Sequence, residues 1–182
     1  MLPVSPIKMR VMHSSSKAKI RTFATALGEA FNCPCHDVPP AYSCDKERLV
    51  ILVMSLKGEP SDTLRRFCGE LTPARAYNVA LVVDNKDQVK GLESVKNTLK
   101  EAGTHVLDDV YYLKSPGLFS GAKISFEERT AIVRWAQGIV TPSKANNSYI
   151  EKGSSAGLIL SFYTTRLRIS PWTKAEIFPA IS

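Results

Sequence analysis

The chain has 182 residues, 44% of them hydrophobic and 23% charged; this is the balance of a globular protein with one sizeable core, and it excludes a disordered or fibrous chain. Its 24 basic and 17 acidic residues give a net charge of +7, but the basic positions are scattered, without a run of five or six like charges or interleaved aromatics, which argues against a nucleic-acid surface. No apolar run approaches the ~18–20 residues of a membrane span, and MLPVSPIKMRVMH has no continuous apolar stretch before a small-residue cleavage site, so a soluble, cytoplasmic protein is expected.

The first element is a strand. IKMRVM, residues 7–12, alternates apolar and polar side chains as a half-buried strand does. HSSSKAK follows as a polar turn. Ile20, Phe23, Ala24, Leu27 and Phe31 then recur at helical spacing, which predicts a helix over 17–31. Residues 33–40 hold three prolines and read as an edge strand or a loop. RLVILVMSL, residues 48–56, is nearly all apolar, as suits a parallel strand covered on both faces. KGEPSD breaks the chain. Leu64, Phe67, Cys68 and Leu71 mark a second helix, and YNVALVVD, residues 77–84, a further buried strand.

After the turn NKDQ, Val89, Leu92, Val95, Leu99 and Ala102 share a helix face. Gly103 follows, where a left-handed residue suits a helix end. THVLDDVYYL predicts another strand, interrupted at Asp108–Asp109. SPGLFSGAK is a polar loop. Ser125 and Glu128 have the spacing of a capping box, and Ala131, Ile132, Trp135, Ala136 and Ile139 form the apolar face of the last helix, which Thr141–Pro142 ends.

Residues 7–140 therefore read β-α-β-β-α-β-α-β-α. Alternation with short connections implies an α/β domain, with a parallel sheet between two helical layers. The domain is assigned to residues 1–140. Residues 141–182 form a C-terminal extension whose sequence has no clear period. Cys33, Cys35, Cys44 and Cys68 include no C-x-x-C pair, and the C-x-C of CPCH departs from the usual spacing of zinc ligands. Reduced, partly buried thiols are expected, with no metal.

In a doubly wound sheet ligands bind beyond the carboxyl ends of the strands, where the strand order reverses. With the first strand central, the loops at residues 13–19, 55–62 and 84–88 converge there. The first could hold a phosphate. Backbone N–H groups at a helix start lack helical partners, Ser14, Ser15 and Ser16 add hydroxyls, and Lys17 and Lys19 add charge. The alternative is that one serine caps the helix and the lysines are solvated. His13, Asp84 and Asp87 are candidate acid–base groups for a hydrolase or transferase, although no nucleophile elbow, Walker loop or H-E-x-x-H is present.

KIRTFATAL is similar to the N-T-x-x-x-A-x-x-I helix that follows the phosphate loop of short-chain flavodoxins, and residues 7–140 resemble that family. The resemblance implies a doubly wound sheet of order 2-1-3-4-5. Aligning Ala24 with the family's helix alanine puts Ser16, Lys17, Ala18, Lys19 and Ile20 on the S-T-G-N-T stretch. Only the serine is kept, and Ala18 replaces the glycine. In MSLKGEPSDTLRRFCGEL, Lys57, Gly58, Phe67 and Leu71 match a flavodoxin-like group with K-G and a helix ending F-x-x-x-L. Met54, Ser55 and Leu56 stand where that group has its ring-stacking aromatic. SFEERTAIVRWA resembles the group's closing helix.

The resemblance implies FMN as cofactor and electron transfer with a redox partner protein. Its phosphate would lie at Ser14, Ser15, Ser16, Lys17, Ala18, Lys19 and Ile20. Its ring would lie against Met54, Ser55, Leu56, Lys57 and Gly58, and against Asp84, Asn85 and Lys86. The departures in these loops leave an alternative, a degenerate module without flavin that serves as an interaction or assembly subunit.

Overall fold

A computed structural model describes residues 7–84, 89–113 and 123–140. The expected extension at 141–182, the loop containing Asn85, Lys86 and Asp87, and most of SPGLFSGAK lie outside the described residues.

The sheet is built around β1 (Met9–Ser14), β3 (Glu47–Met54) and β4 (Ala76–Val83). Residues 49–54 are all buried. Val50, Leu52 and Met54 pack into one apolar cluster, and Leu49, Ile51 and Val53 into another on the opposite face. Successive strand side chains point to opposite faces, so a strand covered on both sides needs apolar residues at every position. This is why RLVILVM reads as a continuous run.

Helices α1 (Ala18–Phe31) and α4 (Phe126–Val140) cover one face. Helices α2 (Asp62–Glu70) and α3 (Val89–Glu101) cover the other. Phe23 and Leu27 of α1 are fully buried, as are Leu64 of α2 and Leu99 of α3. Each such side chain contributes roughly 1.5–3 kcal/mol through burial. The protein is thus an α/β fold with a parallel sheet between two helical layers. Among the described residues no helix is long and apolar enough to cross a membrane.

The strands run in the order β2-β1-β3-β4-β5, all parallel, where β2 is Cys35–Asp37 and β5 is His105–Val106. The three-residue β2 is an edge strand. Pro34 precedes it and Pro39 and Pro40 follow, and proline cannot continue a ladder. A sixth strand, β6 (Tyr111–Tyr112), also pairs with β4. THVLDDVYYL is therefore two short strands. The exposed Asp108 cannot enter a covered sheet without losing hydration, and Asp109 instead accepts a hydrogen bond from Trp135 Nε1 at 2.8 Å.

Two details of the helices bear on the sequence reading. The capping box forms: Ser125 N–H donates to Glu128 Oε2 at 2.8 Å, and Glu128 N–H to Ser125 Oγ at 3.1 Å. The buried stripe of α4 is Ile132, Ala136 and Val140. Ala131, expected on the apolar face, is exposed, because only one side of the helix meets α1 and the sheet.

Candidate functional site

The loops after β1 and β3 enclose a cleft of about 450 Å³. Ser14, Ser15, Ser16 and Lys17 form one wall. Ser55, Leu56, Lys57, Glu59, Pro60 and Ser61 form the other, and Leu64 of α2 also contributes. Of the expected contacts, seven of these residues come together: Ser14, Ser15, Ser16, Lys17, Ser55, Leu56 and Lys57.

The start of α1 belongs to this wall. Lys17 is the N-cap residue, its side chain makes no capping bond, and the first turn contains no acidic residue. Serine capping was the alternative reading of this loop. Ser15 Oγ does accept a hydrogen bond, from Lys17 N–H at 3.0 Å, one residue before the helix. The positive end of the helix dipole is therefore uncompensated by its own side chains. The start of α2 is different. Ser61 caps it by accepting from Leu64 N–H at 3.3 Å, with Asp62 in the first turn.

Asp84, just beyond β4, joins three loops. Its Oδ2 receives Lys17 Nζ at 2.5 Å and the Ser55 hydroxyl, and its Oδ1 receives Leu56 N–H at 3.2 Å. The carboxylate is mostly buried and holds Lys17, Ser55 and Leu56, which line the cleft, in place. Ser55 N–H further donates to Ser14 O at 3.3 Å. Lys17 thus carries its charge at the cleft wall but shares it with a carboxylate.

Other expected contacts lie elsewhere. Lys19 turns away toward α4, where its Nζ meets Glu128 Oε1 at 2.9 Å and lies 5.7 Å from the centre of the Phe23 ring. Ile20 and Met54 do not line the cleft. Both are core residues, one under α1 and the other beneath α2 and α3. Helical spacing carries Ile20 inward, and strand alternation does the same for Met54. Ala18 is exposed at the first turn of α1. Asn85 and Lys86 are outside the described residues.

Gly58 has φ +94°, a conformation that L side chains rarely adopt. Its carbonyl is approached by Gly91 of α3: a Cβ built on Gly91 would stand only 1.9 Å from Gly58 O. The cleft loop is therefore seated on α3 by a contact that only glycine permits. Gly91 has no role in the sequence expectations, whereas Glu59, Pro60 and Ser61 belong to the loop at 55–62 expected at the crevice, without being singled out as contacts. Ser61 carried a legible signal, since a serine just before Asp62 and an apolar stripe is a helix N-cap pattern.

Among the described residues, the two acid–base candidates, His13 and Asp84, are each engaged with other groups. His13 is 5% exposed, and its Nδ1 lies 2.8 Å from Asp37 Oδ1 without hydrogen-bond alignment. Burial pushes its pKa down, against the pull of Asp37. Asp84 is engaged as described, and Asp87 lies outside the described residues.

No family model matches the chain, and no curated protein is significantly similar to it. A flavin nucleotide would put its phosphate at one end of this cleft and its ring at the other. The phosphate end fits: hydroxyls and an uncapped helix start converge on an open volume. At the ring end, Leu56 is buried against α2 and α3, so the described segment 54–58 offers the Lys57 stem and backbone, with no aromatic side chain.

Proposed function

We propose that the chain is a flavodoxin-like electron carrier that holds FMN by its phosphate in this cleft and exchanges electrons with a redox partner protein in the cytoplasm. One observation carries the reading. The uncapped first turn of α1 opens on a cleft lined by Ser14, Ser15, Ser16 and Lys17, and unpaired N–H groups with a favourable dipole attract a phosphate. The serine hydroxyls would donate to its oxygens. The Lys57 stem and the loop backbone would screen one side of the ring. The flavin would supply the redox chemistry, and the chain would hold and orient it. The order of the parallel strands, with β1 between β2 and β3, suits the resemblance to flavodoxins and puts this cleft at the reversal of strand order.

The test is direct. Full-length protein purified under mild conditions is examined for a visible flavin spectrum, then titrated with FMN while flavin fluorescence is followed. Quenching at micromolar FMN is expected. Absence of both a chromophore and quenching overturns the reading.

The second reading is a flavin-free interaction or assembly module. It is favoured by the Lys17–Asp84 pair, in which a carboxylate already takes up part of the charge that a phosphate would use. An unchanged melting temperature in saturating FMN supports this reading, whereas a rise with FMN concentration supports the first.

A further inference from the structure

A separate groove of about 440 Å³ lies at the C-terminal end of α1, where Gly28, Glu29, Cys33 and Cys35 contribute to its walls. Cys33 lies just before β2 and Cys35 is the first residue of β2, and both line this one groove. Both pack against the α1 side of the sheet and remain partly accessible.

The backbone holds them there. Cys33 N–H donates to Gly28 O at 3.0 Å, and Pro34 O accepts from Val11 N–H at 2.9 Å. Gly28 lets the segment lie against the helix: a Cβ there would be 3.1 Å from Cys35 Cβ and 3.2 Å from Cys33 O. Both thiols are free.

We propose that Cys33 and Cys35 form a two-sulfur site for a soft monovalent cation, with Cu(I) as its probe. Soft thiolates select Cu(I) over harder ions. Structural zinc takes four ligands, and among the described residues no group of three His, Cys, Asp or Glu side chains is placed to hold a metal. The groove's own carboxylate, Glu29, is engaged with Arg129 at 2.8 Å.

Without a cation the thiols stay protonated. Burial first, and then the neighbouring Cys35, push the Cys33 pKa up to about 11. A cation between the sulfurs cancels that repulsion. Two S–H bonds release their protons to solvent, two Cu–S bonds form, and copper remains Cu(I), so no electron is transferred. Binding therefore tightens as pH rises.

The test uses the reduced full-length chain under anaerobic conditions, titrated against a colorimetric Cu(I)–bicinchoninate complex. One Cu(I) per chain is expected. Cys33→Ala and Cys35→Ala should each lower the affinity at least ~100-fold, whereas Cys44→Ala should leave it unchanged. Failure of the wild-type chain to draw Cu(I) from the chelator overturns the proposal, as does retained binding in the Cys33→Ala/Cys35→Ala double variant. A wild-type measurement avoids any folding defect. Cu(I) should protect Cys33 and Cys35 from N-ethylmaleimide, read by peptide mass spectrometry; equal labelling with and without Cu(I) overturns the site.

Discussion

Lys17 and Asp84, 67 residues apart in the chain, meet across the carboxyl end of β3. The lysine follows β1 and the aspartate follows β4. The same carboxylate also takes the Ser55 hydroxyl and Leu56 N–H from the loop after β3. One side chain therefore ties together the loops of three strands, and it competes for the charge nearest the start of α1.

This competition gives opposite expectations for the two partners. Lys17→Ala should weaken FMN by about tenfold, ~1.4 kcal/mol. Asp84→Asn should strengthen FMN, because it frees the lysine. Asp84→Asn should also lower stability by roughly 1–3 kcal/mol, since it weakens the bonds made by Ser55 and Leu56. The exposed lysine accounts for little of that loss. Fluorescence titration and urea unfolding measure the two effects separately. Unchanged FMN affinity in both variants would remove the cleft from flavin binding.

Lys19 acts through α4. Its bond, with the Ser125 backbone and Lys19 charge, holds the Glu128 pKa below its ordinary 4.5 despite some desolvation. A carboxyl group with a lowered folded pKa stabilises the fold above its unfolded pKa, and that contribution disappears as pH falls through the folded value. Melting temperature should fall on acidification below about pH 5, less steeply in Glu128→Gln than in wild type. Lys19→Ala should share the shallower slope and leave FMN affinity unaltered.

His13 gives a pH dependence in a higher window. Its pKa is lowered from 6.5, chiefly by burial. The unfolded chain therefore takes up this proton before the native protein does, and stability falls as pH drops from 6.5 toward the folded value. In His13→Gln this part of the stability curve should be flatter. Urea midpoints at pH 7.5 and 5.5, with a direct NMR titration of the His13 ring, test the sign. A ring pKa above 6.5 would contradict the burial argument.

Gly91 offers a test of how the core supports the cleft. In Gly91→Ala the new methyl meets Gly58 O, and α3 or the loop at 55–60 must move. Destabilisation of about 1–3 kcal/mol is expected from overpacking, together with weaker FMN binding. Gly69→Ala, whose Cβ would meet only Thr98 at an ordinary 3.8 Å, should do neither. Thermal melts and FMN titration of the two variants provide the comparison.

The sequence by itself determined the layers of this protein. Continuous apolar runs at 49–54 and 79–83 required a sheet covered on both faces, and the stripes at Ile20–Phe31 and Leu64–Leu71 supplied the covering helices. These are local periodicities, set by how side chains leave a strand or a helix. The Ser125–Glu128 capping box was legible for the same reason. Only the tertiary structure decided which charges meet. Lys17 and Lys19, two positions apart, looked equivalent as phosphate ligands, but one reaches Asp84 and the other Glu128. Cys33 and Cys35 showed their spacing, but not the groove that Gly28 leaves room for. Nothing in the local pattern around Gly91 marks it as the position where Gly58 O comes against α3. Long side chains and close backbone contacts are selected by neighbours distant in the chain, and periodicity carries no record of those neighbours.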